Sequence, residues 1–159
     1  MRKTNAARIL DQMKLSYELK EYPVDESDLS AVSVAQKVGL PIEQIYKTIV
    51  VRGDKTGVLV ACIQGDQELY LKGLAALSGN KKVEVVPLKE VQPLTGYIRG
   101  GVSPLGMKKS YPTYIDSAVS RQEKVSVSAG LRGLQIFLCP ADLISATNAR
   151  VGEISTEPV

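Results

Sequence analysis

Lys47 opens the apolar run KTIVV, where a lysine can lay its methylenes along core atoms and present an ammonium at the mouth of a cleft. Thr48 beside it could be a ligand contact. The competing reading is a snorkelling lysine at a strand end, with Thr48 there as a β-former. A second stretch, GGVSPLG at 100–106, is a poor helix and a poor strand. Its glycines let backbone N–H groups approach a carbonyl oxygen, an oxyanion or a phosphate closely. Pro104 would stiffen the bend and Ser103 adds a hydroxyl, while Arg99 before it and Lys108 and Lys109 after it add positive charge. A tight turn between solvated basic residues would use the same composition. In SAGLRG, 128–133, the small residues Ser128, Ala129 and Gly130 precede Arg132, which suits either a pocket wall or a hairpin turn whose arginine faces water. Tyr22 could stack on a base or ribose, or pack at the rim of the core.

What the chain lacks narrows the chemistry. There is no histidine among its 159 residues. Ser-His-Asp and Cys-His nucleophile pairs are excluded, as is a histidine zinc site. Two isolated cysteines, Cys62 and Cys139, cannot build a structural zinc site; both lie in apolar strand-like runs and are expected to be buried free thiols, as in a reducing cytoplasm. No metal and no cofactor is expected. An enzyme built from this chain must work with lysine, hydroxyls, carboxylates, backbone amides or the substrate itself.

The elements that would carry these residues follow from the pattern along the chain. Thr4 caps a helix with Ala7, Ile9, Leu10, Met13 and Lys14 in helical period, and SYELKEY (16–22) alternates like a half-buried strand. The loop PVDESDLS (23–30) leads to a short helix, AVSVAQKV, capped by Ser30 or Ser33 and closed by Gly39; Pro41 suits the first turn of PIEQIY. KTIVV and VLVACI around RGDKTG read as a β-hairpin. ELYL, KVEVV, PTYID, KVSVS and GLQIFLC read as further strands, and KGLAALSG, PLKEVQPL and PADLISATNA as helices. Residues 1–150 make one domain and 151–159 a tail. Strands and helices interleave irregularly, so the fold class is α+β with a mixed sheet, not a dinucleotide-binding alternation. No G-x-x-x-x-G-K-[ST] phosphate loop is present. The net charge of +3 permits contact with nucleic acid without requiring it, and no 18-residue apolar run suggests a membrane span.

Taken in order, KTNAARIL, YKTIVV, GYIRGGVSPLGMKK, SAGLRGLQI and CPADL make the chain resemble the YbaK/EbsC family, the free-standing relatives of the editing domain of bacterial prolyl-tRNA synthetases. The resemblance runs from Lys3 to about Ala149. It implies a single α+β domain with a curved, barrel-like mixed sheet surrounded by helices. It also implies a cytoplasmic trans-editing deacylase acting on the CCA end of mischarged tRNA, Cys-tRNA(Pro) first and Ala-tRNA(Pro) second, with prolyl-tRNA synthetase as a partner. Carried over, Lys47 would hold the terminal adenosine or its phosphate, and Gly101 would supply a catalytic backbone donor. Tyr22, Leu29, Thr48, Gly100, Ser103, Pro104, Ser128, Ala129, Gly130 and Gln135 would form the pocket. Arg99, Lys108, Lys109 and Arg132 would meet the tRNA. Two departures touch the pocket. No aromatic residue lies between Tyr22 and Tyr46, which leaves Leu29 as the nearest large apolar side chain, and Gln135 stands where some members carry an acid. A non-catalytic module that holds a nucleotide or tRNA end is the reading from another class. A small phosphoester hydrolase ranks below both for want of metal ligands.

Overall fold

In the computed structural model, which describes residues 3–156, the hairpin expected around RGDKTG is the centre of the molecule. Strand β2 (Tyr46–Gly53) and β3 (Gly57–Gln64) pair antiparallel along their whole length. Both are rich in β-branched residues, and alternate side chains go to opposite faces. The Asn80 carbonyl oxygen Oδ1 accepts from the Lys55 and Thr56 amides and so closes the turn.

The other elements add to this pair. Helix α1 (Asn5–Gln12) is capped by the Thr4 hydroxyl and leads to β1 (Glu18–Glu21); α2 (Ala31–Val38) is capped by Ser30 and ends at Gly39 in the left-handed conformation. A single 3-10 turn at Ile42–Gln44 follows where a short helix was expected. After the hairpin come β4 (Glu68–Leu69), α3 (Leu71–Ser78), β5 (Val83–Val85) and α4 (Leu88–Thr95). Beyond the glycine loop lie β6 (Thr113–Asp116), a 3-10 turn at Ser117–Arg121, β7 (Val125–Leu131), β8 (Leu134–Leu138) and α5 (Pro140–Thr147).

The expected tail is corrected over most of its length. Residues Arg150–Gly152 form β9, parallel to β6, and Ser155–Thr156 form β10 against β4; residues 157–159 lie outside the described residues. Asp116 draws the segment in, since its Oδ1 accepts from the amides of Ile154 (2.9 Å) and Ser155 (3.1 Å).

The fold is α+β with mixed sheets. One sheet runs β5-β2-β3-β6-β9 and the other β1-β8-β7, joined by a parallel bridge between Ile45 and Ser126; β10 and β4 form a small third pair. The larger sheet separates two cores. Tyr46, Val60, Cys62 and Ile115 face the smaller sheet, α1 and α5, together with Leu10, Val127, Ile136 and Leu143. Val51, Leu59, Ala61, Ile63 and Tyr114 face α3 and the fully buried Ile154. Cys62 is buried, whereas Cys139, expected to be buried too, is only half-buried before α5 because Pro140 opens that helix near the surface; both thiols are free. No described helix is long and apolar enough to cross a membrane.

Candidate active site

The main cleft arises where strand pairing stops. Residues of β2 alternate in which side their backbone groups serve, and the bond from the Val86 amide to the Val50 carbonyl (3.0 Å) shows that even-numbered residues turn away from β3. Strand β5 pairs in register only with Val51–Gly53, so no described strand pairs with that edge at Thr48. The same alternation holds across the smaller sheet. The Tyr22 amide bonds the Gly133 carbonyl, so Gln135 of β8 faces β1, Ile136 bonds β7 through Val127, and Ser126 and Ser128 turn to the opposite side. Past the Ile45–Ser126 bridge the two strands part. A cleft of about 720 Å³ opens there, with the unpaired edges at Thr48 and Ser128 in its walls.

Each wall has its own chemistry. Val85, Val86, Leu88 and Val91, from β5 and α4, give an apolar side. The glycine loop (Arg99, Gly100, Val102) and the loop carrying Asp28, Leu29 and Ser30 also line it. Gly100 has φ of +84°, and a Cβ there would meet the Leu29 methyls at 3.3 Å, so the two loops pack directly. Gly101 lies against the β7–β8 turn so closely that a Cβ would sit 3.1 Å from the Arg132 amide nitrogen. The amides of Gly100 and Val102 have no partner among the described residues.

Lys47 is half-buried on the cleft wall, and burial pushes its ammonium below the ordinary lysine range, with Asp66 and Glu68 pulling part of the way back. A partly desolvated cation retains stronger interactions with an incoming anion than one in open water. The Thr48 hydroxyl lies 3.8 Å from the Cys62 sulfur, within hydrogen-bond range for that pair. Burial pushes the Cys62 thiol up to about 12, so at neutral pH it is not a nucleophile.

Of the residues expected at the site, Lys47, Thr48, Leu29, Gly100, Ser128, Gln135 and Arg99 line this cleft. Others do not, each for a visible reason. The Gly101 amide donates to the Ile98 carbonyl (2.9 Å), so it is not free to bind an oxyanion. Ser103 is fully buried and its hydroxyl accepts from the Leu105 amide, shaping the bend; Pro104 and Ala129 are buried as well and do not line the cleft. Gly130 packs under the Tyr97 ring, where a Cβ would lie 2.7 Å from a ring carbon. Tyr22 stays at the end of β1, outside the cleft lining. Lys108 is bonded to the Pro93 carbonyl and Lys109 is exposed off the cleft. Arg132 is a brace: its Nε donates to the Arg99 carbonyl (2.8 Å) and its guanidinium lies 3.9 Å from Glu26, tying the 23–30 loop, the glycine loop and the hairpin turn together. Sequence reasoning missed Val102 and the apolar wall. The run VEVVPL carried the only signal, four apolar residues about a strand-to-helix junction with Val85 and Leu88 left exposed.

The aminoacyl-tRNA editing domain family matches this chain over residues 26–146. The chain belongs to that family. As an editing domain it acts in the removal of a wrong acyl group from tRNA, a deacylation. Among its relatives, the Enterococcus faecalis protein named "Putative Cys-tRNA(Pro)/Cys-tRNA(Cys) deacylase EbsC" is 50% identical over 98% of this chain and 94% of its own length. A proline–tRNA ligase of Thermosipho africanus is 30% identical over 48% of this chain and only 13% of the ligase. The solved structure described as "a putative trans-editing enzyme for prolyl tRNA synthetase" superposes with a TM-score of 0.82 at 26% identity, covering 98% of this chain and 99% of the other. The editing domain therefore shares its fold along essentially its whole described length with a free-standing protein.

Proposed function

We propose that this editing domain deacylates mischarged tRNA(Pro) in trans, with Cys-tRNA(Pro) its first substrate and Ala-tRNA(Pro) its second. One observation carries the reading: Lys47, Gly100 and Val102, the last two with amides unpartnered among the described residues, line a single cleft in a chain without histidine. The terminal adenosine lies along the Val85, Val86, Leu88 and Val91 wall, and the Lys47 ammonium holds a phosphate of the CCA end. Open carbonyls at Thr48 and Ser128 accept from the α-ammonium of the acyl group. The Gly100 and Val102 amides point to the ester carbonyl and favour the tetrahedral oxyanion, where one such donor is worth about 10²–10³ in rate.

An aminoacyl ester is reactive enough to need no strong base. With a cysteinyl ester the substrate's thiol sulfur bonds the carbonyl carbon, the bond from that carbon to the ribose oxygen breaks, and the thiol proton ends on the ribose oxygen. A small cyclic thioester leaves. Holding sulfur and carbonyl together can supply up to about 7–11 kcal/mol in well-oriented cases. With an alanyl ester, water must attack instead.

The test is deacylation of Cys-tRNA(Pro), Ala-tRNA(Pro) and Pro-tRNA(Pro) by the wild type and by Lys47→Ala. The expected result is release of cysteine by the wild type, little release of proline, and loss of release in the variant with its fold intact. Binding without turnover across the set would make the protein a tRNA-end binding module. A folded, fully active Lys47→Ala would remove Lys47 from the mechanism.

A further inference from the structure

Beneath the cleft lies a buried polar pair that the mechanism above does not use. Ser126 is fully buried on β7, and its hydroxyl donates to Oε1 of Gln135 on β8 at 2.7 Å. Gln135 is 5% exposed, and what remains exposed belongs to the cleft lining. The two side chains share a face of the smaller sheet, since Ser128 is the register partner of Gln135 and Ser126 lies two residues before it. The bond to Ser126 occupies the acceptor end of the amide and turns it inward. The donor end, Nε2, has no acceptor among the described residues. Among those residues the sealed polar side-chain atom without a partner is the Tyr46 hydroxyl, so Nε2 is not sealed and opens to the cleft.

We infer that Ser126 fixes Gln135 as a hydrogen-bond donor to the acyl side chain, and that this donor selects acyl groups carrying a sulfur or oxygen acceptor over those ending in carbon. The inference rests on the deacylase reading and deepens it. A carboxylate at position 135 would offer acceptors only, whereas a pinned amide offers two N–H donors. A thiol, thiolate or hydroxyl on the substrate's β-carbon can accept from one of them. An alanyl methyl or a prolyl ring cannot, and it strips water from a donor that then goes unpaired. Leaving a buried donor unpaired is the costly side of hydrogen bonding, so an acyl group without an acceptor is disfavoured here; sulfur is a weak acceptor, which keeps the expected preference for a cysteinyl group modest. Size excludes large side chains; Gln135 separates those small enough to enter. Gln135 is thus a specificity-determining residue and Ser126 a positioning residue that acts through it.

The experiment measures binding, so that it does not depend on turnover. Cysteinyl- and alanyl-adenosine linked by an amide in place of the ester are titrated calorimetrically into the wild type, Gln135→Leu, Ser126→Ala and Ser126→Thr. The wild type should prefer the cysteinyl compound by about tenfold. Gln135→Leu should bring the ratio close to one, by weakening the cysteinyl compound and leaving the alanyl one unchanged or tighter. Ser126→Ala should lower the ratio in the same direction, because the freed amide can turn its oxygen outward, and Ser126→Thr, which keeps the hydroxyl, should restore it. A ratio serves because a general packing defect weakens both compounds together. A ratio unchanged in Gln135→Leu and Ser126→Ala, or no binding of either compound by the folded wild type, overturns the inference. A wild type that binds with the expected ratio yet deacylates no tRNA would overturn the deacylase reading alone.

Discussion

Replacing Tyr97 by Phe should cost stability at neutral pH and recover it in alkali. Tyr97 is 9% exposed and holds the glycine loop from beneath: its hydroxyl donates to the Leu105 carbonyl at 2.6 Å, and its ring packs where Gly130 lacks a Cβ. Phenylalanine keeps the ring and leaves a buried carbonyl without its donor, which costs about 1–2 kcal/mol, or about 2–4 °C in melting temperature for each kcal/mol in a chain of this size. Burial pushes the Tyr97 hydroxyl from its ordinary value of 10.0 up to about 12. In the unfolded chain the proton leaves near pH 10; in the folded protein it stays until near pH 12. The contribution is therefore complete below pH 10 and is lost as pH rises from 10 through 12. At pH 11, midway between the two values, this group should have cost the wild type on the order of 1 kcal/mol. The variant has no such group to titrate. Urea unfolding of both proteins at pH 7.5 and pH 11 measures the difference. The neutral penalty should shrink by about 1 kcal/mol or more at pH 11. Tyr46, also raised by burial, is present in both proteins and cancels. A penalty equal at the two pH values, or larger at pH 11, refutes the account of Tyr97 as a neutral buried donor.

Further outcomes follow from the same geometry. Because burial lowers the Lys47 pKa, affinity for a 5′-phosphorylated, amide-linked cysteinyl-adenosine should fall as pH rises through a value below the ordinary lysine range, and Lys47→Arg should remove that fall; a wild-type profile flat through that range would contradict a phosphate contact by Lys47. Arg132→Lys keeps the charge but loses the Nε donor to the Arg99 carbonyl, so it should raise KM about three- to tenfold with kcat little changed and speed exchange of the Gly101 amide, which is bonded to the Ile98 carbonyl within that bend; unaltered KM and exchange would make the brace irrelevant to the site. Ending the chain at Ala149 removes the fully buried Ile154 and should cost about 3–5 kcal/mol, while Asp116→Ala in the full chain should cost about 2–3 kcal/mol; a truncated chain that melts with the full one would return the segment to the status of a tail.

Local signals carried far along the chain. The caps at Thr4 and Ser30, the stops at Gly39 and Gly79, and the central hairpin are all where residue type and period put them. What escaped depends on partners remote in sequence. VGEIST has no strand pattern of its own and pairs because Asp116, more than thirty residues earlier, accepts from its amides. Arg132 reads as a solvated turn residue until the 98–101 bend is folded against it.

The site shows the same division more sharply. Lys47 and the glycine loop could be singled out because lysine and glycine are distinctive types. The cleft between them exists for a different reason: β5 is too short to cover β2 at Thr48, and β7 parts from it after Ser126. Unpaired strand edges are normally blunted or covered. Here two of them are left in the walls of a cleft that the Leu29 loop also lines, a recess too confined for another strand to pair along them and still large enough for a ligand. Every residue carries the same backbone N–H and C=O, so such a site has no signature in residue type. It follows that side-chain substitutions at Thr48 and Ser128 should be tolerated better than their place in the cleft suggests, and that shifts of register, such as lengthening β5 to pair with Thr48, should close the site while leaving every candidate side chain in place.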